Sequence, residues 1–208
     1  MTLVGIVDYG LGNLRSVAGA VERLGHEPLV SSDPAALAQA SRLILPGVGA
    51  FGDGMAKLRA RGLVEPLTEL VVGQGRPVLG ICLGAQLLAR ESEEFGQHEG
   101  LGWIDAVVRR IAPADPALRV PHVGWNEVRA LRPSVLLRDL PDQPLFYFVH
   151  SFHIVCAHRE DVVAEVPYGE PLVAVVERGN VYGTQFHPEK SQLDGLVLLG
   201  NFLERVEA

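Results

Sequence analysis

Between an apolar run that ends at Ile81 and a helix-like run that opens at Leu83, the chain sets one cysteine between two glycines, Gly80-Ile81-Cys82-Leu83-Gly84. A glycine on each side lets a strand and a helix approach closely around a strained turn, so that the residue between them projects clear of a sheet. The helix beyond the turn directs free backbone N–H groups and a partial positive charge at the sulfur, which favours thiolate. The junction therefore asks for an α/β sheet and offers Cys82 as a nucleophile. The competing reading is a small buried hydrophobe in a βα turn.

The second half of the chain weighs against that alternative. A strand-like run over 181–186 ends in His187, and Glu189 follows after Pro188. A cysteine nucleophile needs a base to take its proton and a third group to hold the base in one tautomer. A carboxylate two residues beyond a histidine reaches its Nδ1 if the chain turns, and Pro188 prevents the strand from continuing. Cys82, His187 and Glu189 supply all three roles. The lone-residue alternative for His187 is a surface histidine at a strand end.

The rest of the chain supports an α/β frame. Residues 3–8 form an apolar strand, and Asn13 is placed to cap a helix whose apolar positions Leu14, Val17, Ala18, Val21 and Leu24 recur at three and four before Gly25. A weaker strand at 29–31 leads to Asp33-Pro34, an N-cap with proline at the first helical position, ahead of a helix over 35–40. Strands at 43–45 and 78–81 and a helix over 83–90 complete the alternation, which specifies a parallel sheet with its site at the carboxyl ends of the strands. From 100 to 177 the signal changes to strands and turns, among them 145–155 and 172–177, read as antiparallel additions around the same sheet. Leu193, Leu196, Val197, Leu199, Phe202, Leu203 and Val206 form a last amphipathic helix. Residues 112–116 read as a flexible loop.

One α/β domain over 1–208 is expected from the length of 208 residues. A net charge of −7 with scattered Lys and Arg leaves no patch for nucleic acid. The uncharged stretch 77–89 falls short of the roughly 18 residues that span a bilayer, and the first residues lack a basic leader. Two cysteines make no disulfide framework, so a cytoplasmic chain with a reduced nucleophile is expected. His150 and His153 have a zinc-like spacing, but residues three apart on a strand face opposite sides, so no metal is expected. Cys156 reads as core.

Gly80-Ile81-Cys82-Leu83-Gly84-Ala85-Gln86 with His187-Pro188-Glu189 resembles the class I glutamine amidotransferases, whose glutaminase domains carry G-x-C-x-G-x-Q and a late H-P-E. Asp8-Tyr9-Gly10-Leu11-Gly12-Asn13, Pro46-Gly47-Val48-Gly49-Ala50-Phe51-Gly52, His122-Val123-Gly124-Trp125-Asn126 and Tyr147-Phe148-Val149-His150-Ser151-Phe152 are similar to the glutaminase subunits of imidazole glycerol phosphate synthases. The resemblance runs from residue 8 to residue 191. It implies a flavodoxin-like, mainly parallel sheet flanked by helices with antiparallel additions. It also implies hydrolysis of L-glutamine to glutamate and ammonia without a cofactor, and delivery of the ammonia to a (β/α)₈-barrel cyclase subunit.

On the same resemblance the oxyanion donors are the backbone N–H groups of Leu83 and Val48. Most relatives hold glycine at the Val48 position, and a β-branched residue resists positive φ, so the hole is expected to be incomplete at rest. Gln86, Gly49 or Gly52, and Glu94 are implied as glutamine contacts; for Glu94 the alternative is a solvated helix end within the acidic run 91–94. His150 and Ser151 stand beside the substrate in the same comparison. Asn13, Trp125, Tyr147 and Lys190 belong to motifs that face the cyclase partner, with core packing the alternative for Trp125. The signatures at 8–13 and Val48 argue against glutaminases of pyridoxal phosphate, anthranilate or guanylate synthesis. A cysteine peptidase or chaperone of similar architecture would not need Gln86 or His187-Pro188-Glu189, and the intact triad disfavours a catalytically silent regulatory partner.

Overall fold

Apolar runs separated by capped helices produce the expected parallel core. In the computed structural model, which describes residues 1–207, strands β1 (Leu3–Val7), β2 (Glu27–Ser31), β3 (Arg42–Gly47) and β4 (Val78–Cys82) pair in parallel. Every residue of β3 and β4 is buried, as central strands covered on both faces require. Helices α1 (Leu14–Arg23), α2 (Pro34–Leu37), α3 (Phe51–Ala60) and α4 (Val64–Thr68) make the connections, and α4 runs on into a π-helical turn at Glu69–Gly73. Asp33 Oδ1 accepts the Ala35 N–H at 3.0 Å, the anticipated cap, although α2 is shorter than the span 35–40. Asn13 does not cap α1. With ψ at 63° its side chain makes no bond to the helix, and only its carbonyl accepts, from Val17 N–H at 3.2 Å.

Beyond Cys82 the chain departs from a simple repeat. Helix α5 (Leu83–Leu87) is one short stretch rather than a helix over 83–90, because the N–H groups of Trp103 and Ile104 both bond to the Leu88 carbonyl and draw the chain into β5 (Ala89–Ser92). Strands β6 (His98–Glu99) and β7 (Ile104–Arg110) follow, then β8 (His122–Glu127) and β9 (Arg129–Ala130). The apolar run 145–155 is two strands, β10 (Leu145–His150) and β11 (Phe152–Cys156), broken at Ser151. Each half pairs elsewhere: β10 with β8, and β11 with β7. Strands β12 (Val162–Pro167), β13 (Pro171–Arg178) and β14 (Val181–Thr184) precede the last helix, α6 (Gln192–Arg205).

The main sheet has the order β2-β1-β3-β4-β14-β13-β12-β9, parallel from β2 to β14 and antiparallel thereafter. A four-stranded sheet, β11-β7-β5-β6, and the β10-β8 ribbon are the antiparallel additions, with one parallel pair between β5 and β7. Alternate residues of the central strands enter two apolar clusters. Ile44 joins Val17, Leu198 and Phe202 in one, while Leu43 and Leu45 join Phe51, Leu58 and Leu87 in the other. Buried Arg42 fixes the end of α6 through Nη1 to the Phe202 carbonyl at 2.6 Å. Among the described residues no helix is long and apolar enough to cross a membrane. Residues 112–116 carry neither helix nor strand.

Two glycines separate required from dispensable absence of a side chain. A Cβ on Gly84 would run into the Leu45 carbonyl oxygen, whereas one on Gly19, inside α1, would meet nothing within 4 Å. Gly84→Ala is therefore expected to lower the urea-unfolding free energy by about 3 kcal/mol, since β3 and α5 must separate. Gly19→Ala is expected to raise it by about 0.5–1 kcal/mol.

Candidate active site

Strand β4 delivers Cys82 to the carboxyl edge of the sheet, where the residue adopts φ 54° and ψ −110°. A non-glycine residue held there costs on the order of 1–3 kcal/mol and persists only when its surroundings over-determine it. The flanking glycines provide that constraint: a Cβ on Gly80 would lie 2.7 Å from the Ala85 backbone, so β4 and α5 pack at a distance closed to other residues. Neighbouring β14 pairs with β4 in register and leads through Gln185 and Phe186 to His187 at the head of a 3₁₀ turn, Pro188–Lys190. The turn brings Glu189 back, and its Oε1 lies 2.8 Å from His187 Nδ1 with the two side chains 1% and 2% exposed. Cys82 and the His187–Glu189 pair, more than a hundred positions apart in the chain, are thus brought to the ends of two adjacent strands.

The electrostatics separate one charged histidine from two neutral ones. Burial lowers the His187 pKa, but hydrogen bonds and charge interactions with Cys82 and Glu189 prevail and raise it to about 9. Its Nε2 is buried without a fully aligned partner, so the coupling to the sulfur is one of proximity and charge. Burial pushes His150 down to about 3 and His122 down to about 4, so both are neutral at pH 7. His150 Nδ1 donates to the Phe152 carbonyl at 2.8 Å, which leaves its Nε2 to accept from His122 Nδ1 at 2.9 Å. His122 Nε2 then accepts from the Asn126 amide. Cys156, half-buried and packed against the second apolar cluster, has its thiol pushed up to about 12 by burial.

Cys82 and His187 open on a pocket of about 400 Å³ that also takes in Val48, Gly49, Leu83, Gln86, Glu94 and the segment 149–152. Leu83 is the first residue of α5, so its N–H has no partner within the helix. The positive φ of the neighbouring loop falls on Gly49, at 102°, and not on Val48. Glu94 is not a solvated helix end: it follows β5, is buried, and accepts the Phe51 N–H at 2.7 Å at the start of α3. Burial is the main reason its pKa is raised. Gly52 does not reach the pocket; it faces the His98 ring, which a Cβ would meet at 2.7 Å. His150 and Ser151 do line the pocket, on the break between β10 and β11.

Trp125 and Tyr147 pair across the β8–β10 ribbon with ring centroids 5.9 Å apart, and Lys190 Nζ stands 5.9 Å from the Tyr147 ring. Trp125 is 40% exposed and belongs to an outward row with Val123 and Val149, so core packing does not describe it. Asn13 lies half-buried at the head of α1, the helix packed against the 188–190 turn. Sequence reasoning missed Gln185, His122 and Asn126 as parts of the site. The last two stand in a motif already singled out, but the His122–His150 bond that ties them to the pocket joins positions 28 apart through the ribbon's register.

The family model described as glutamine amidotransferase class-I matches residues 5–206. The chain is 50% identical over 209 residues to imidazole glycerol phosphate synthase subunit HisH 2 of Nitrobacter winogradskyi, covering 98% of this chain and 99% of that protein. It is 46% identical over 210 residues to the subunit HisH of Caulobacter vibrioides, again with 98% and 99% covered. Among solved structures, PurLQS from Thermotoga maritima superposes with a TM-score of 0.76 at 21% identity over 98% of each chain, a likeness of fold.

The histidines carry opposite pH signatures. With a folded pKa of about 9, His187 contributes stability that is fully present below its unfolded pKa of ~6.5 and is lost as pH rises through about 9. His122 and His150, held at about 4 and about 3, refuse protons that the unfolded chain accepts below ~6.5, so their contribution is lost as pH falls. Urea unfolding followed between pH 5 and 6.5 is expected to show a shallower pH slope in His122→Gln than in the parent. Equal slopes would contradict the neutral pair.

Proposed function

The chain belongs to the class-I glutamine amidotransferase family, and on that premise we propose that it is the glutaminase subunit of an imidazole glycerol phosphate synthase. It hydrolyses L-glutamine to L-glutamate and ammonia in histidine biosynthesis, without a metal or organic cofactor. The ammonia passes to a (β/α)₈-barrel cyclase subunit in a heterodimer. We take residues 1–208 as one glutaminase domain and assign it to the cytoplasm, where a nucleophilic thiol stays reduced.

The observation that carries the reading is the strained Cys82 elbow beside a His187–Glu189 pair at 2.8 Å. Thiolate Cys82 attacks the glutamine carboxamide carbon, and the carbonyl electron pair moves onto oxygen. That oxyanion is received by the N–H groups of Leu83 and Val48. His187 gives its proton to the departing nitrogen, which leaves as ammonia while the thioester forms. It then takes a proton from water as the water attacks, and glutamate departs with thiolate restored. Glu189 holds Nδ1 of His187 and balances its charge. Gln86, Glu94, Gly49, His150 and Ser151 shape the pocket for the amino-acid end of the substrate.

Val48 without positive φ and next to Gly49 supports a loop that withholds one donor until the partner binds. The outward row of Val123, Trp125 and Val149, with Tyr147 and Lys190 beside it, is the docking face, and Asn13 extends it.

Two outcomes test the assignment. A glutamine-derived electrophile should label Cys82 and leave Cys156, whose thiol is pushed up to about 12, unmodified; label on Cys156 alone would contradict it. Glutamate release should be low for the isolated chain and rise on the order of 10²–10³ when the cyclase subunit and its ligand are added, the worth of one oxyanion donor. Full activity in the lone chain would remove the gating loop from the mechanism.

A further inference from the structure

The side-chain amide of Gln185 lies with Nε2 3.8 Å from Cys82 Sγ, and the residue is 1% exposed. An amide can present either end, so what fixes its direction decides what the sulfur meets. Gln185 Oε1 accepts from Gln86 Nε2 at 3.0 Å. Gln86 cannot turn round freely, because the same Nε2 donates to the Phe152 carbonyl at 2.9 Å. That carbonyl also receives the His150 Nδ1–H, and His150 is held in this tautomer by His122 and Asn126. The Phe152 carbonyl thus receives donors from both sides, and Gln86, anchored there, turns its remaining N–H toward Gln185 Oε1 and leaves the Gln185 N–H facing the sulfur.

We infer that Gln185 is a hydrogen-bond donor to the Cys82 thiolate, aimed by Gln86, which the Phe152 carbonyl anchors, and that it stabilises the anionic nucleophile. The inference rests on the glutaminase reading above and deepens it. The Val149 carbonyl, 4.0 Å from Sγ, is an acceptor and favours the thiol, whereas the Gln185 N–H favours the thiolate. The titratable groups that face the sulfur are His187 with Glu189 behind it, and Tyr9, whose buried phenol is raised by burial and by the sulfur's charge. Neutral His150 lines the same pocket. Gln185 does not line the pocket, so it acts on the sulfur and not on glutamine.

The test is alkylation of Cys82 by neutral iodoacetamide as a function of pH, read on the Cys82 peptide by mass spectrometry in the full chain. In Gln185→Met, which keeps the volume and removes the donor, the inflection is expected at higher pH. Alkylation at pH 7 should be about tenfold slower, as for a lost hydrogen bond to a charged group. KM for glutamine in the complex should stay unchanged while kcat falls. Gln185→Glu, with an anion facing the sulfur, should move the inflection further in the same direction. An inflection that stays at the parent's position in a folded variant overturns the inference, even if kcat falls. Should neither variant fold, the parent decides: the Gln185 side-chain amide resonances must shift through the Cys82 titration, and resonances indifferent to it overturn the inference. Alkylation does not depend on turnover, so a parent inactive on glutamine would sink the glutaminase reading and leave this result standing.

Discussion

The contact of α5 against β3 and β4 is the constraint on which the site depends. Gly80 and Gly84 allow backbone to meet backbone there, and the approach forces Cys82 into φ 54°. A strained residue relaxes unless its neighbours leave no room, and here both sides are closed by main chain rather than by adaptable side chains. The same geometry points the sulfur out of the sheet, starts α5 one residue later, and leaves the Leu83 N–H free beside it. The proposed nucleophile and the proposed oxyanion donor thus follow from one packing requirement.

Around that point the protein uses histidine in two charge states. His187 sits between a carboxylate and a sulfur and is stabilised as imidazolium, up to about 9. His122 and His150 are as buried, but their neighbours are amides, a carbonyl and aromatic faces: His122 stacks on Tyr168 at 4.1 Å and on Phe148 at 4.8 Å. With no anion within reach, burial dominates and both remain neutral. In the proposed reaction the charged histidine moves protons, whereas the neutral pair only orients its neighbours. Because it spans the ribbon that carries Trp125 and Tyr147, the neutral pair also ties the outer face to the pocket wall at 149–152.

Much of this was legible in the sequence where the physics is local. The glycine-flanked cysteine, the turn at Pro188, the Asp33 cap and the parallel core each depend on neighbours in the chain, and each appears as expected. Failures came where distant partners override local preference. The helix beyond Leu83 stops after Leu87 because Trp103 and Ile104 take the Leu88 carbonyl. The run 145–155 splits at Ser151 because β8 and β7 claim its two halves. Glu94 was ambiguous in its acidic run because the Phe51 N–H that it caps lies 43 positions away. Gln185 carries no sequence signal, since a glutamine two residues before His187 becomes a sulfur contact only when β14 is paired with β4.

The central claim is that Cys82 is the atom to which the glutamyl group is transferred. It is tested most directly by mixing the chain and its cyclase partner with glutamine, quenching with acid within a turnover, and mapping the acylated peptide by mass spectrometry. A glutamyl thioester on Cys82, absent from Cys82→Ala, is the expected result. Glutamate release with no adduct on Cys82, or an adduct on another residue, would contradict it.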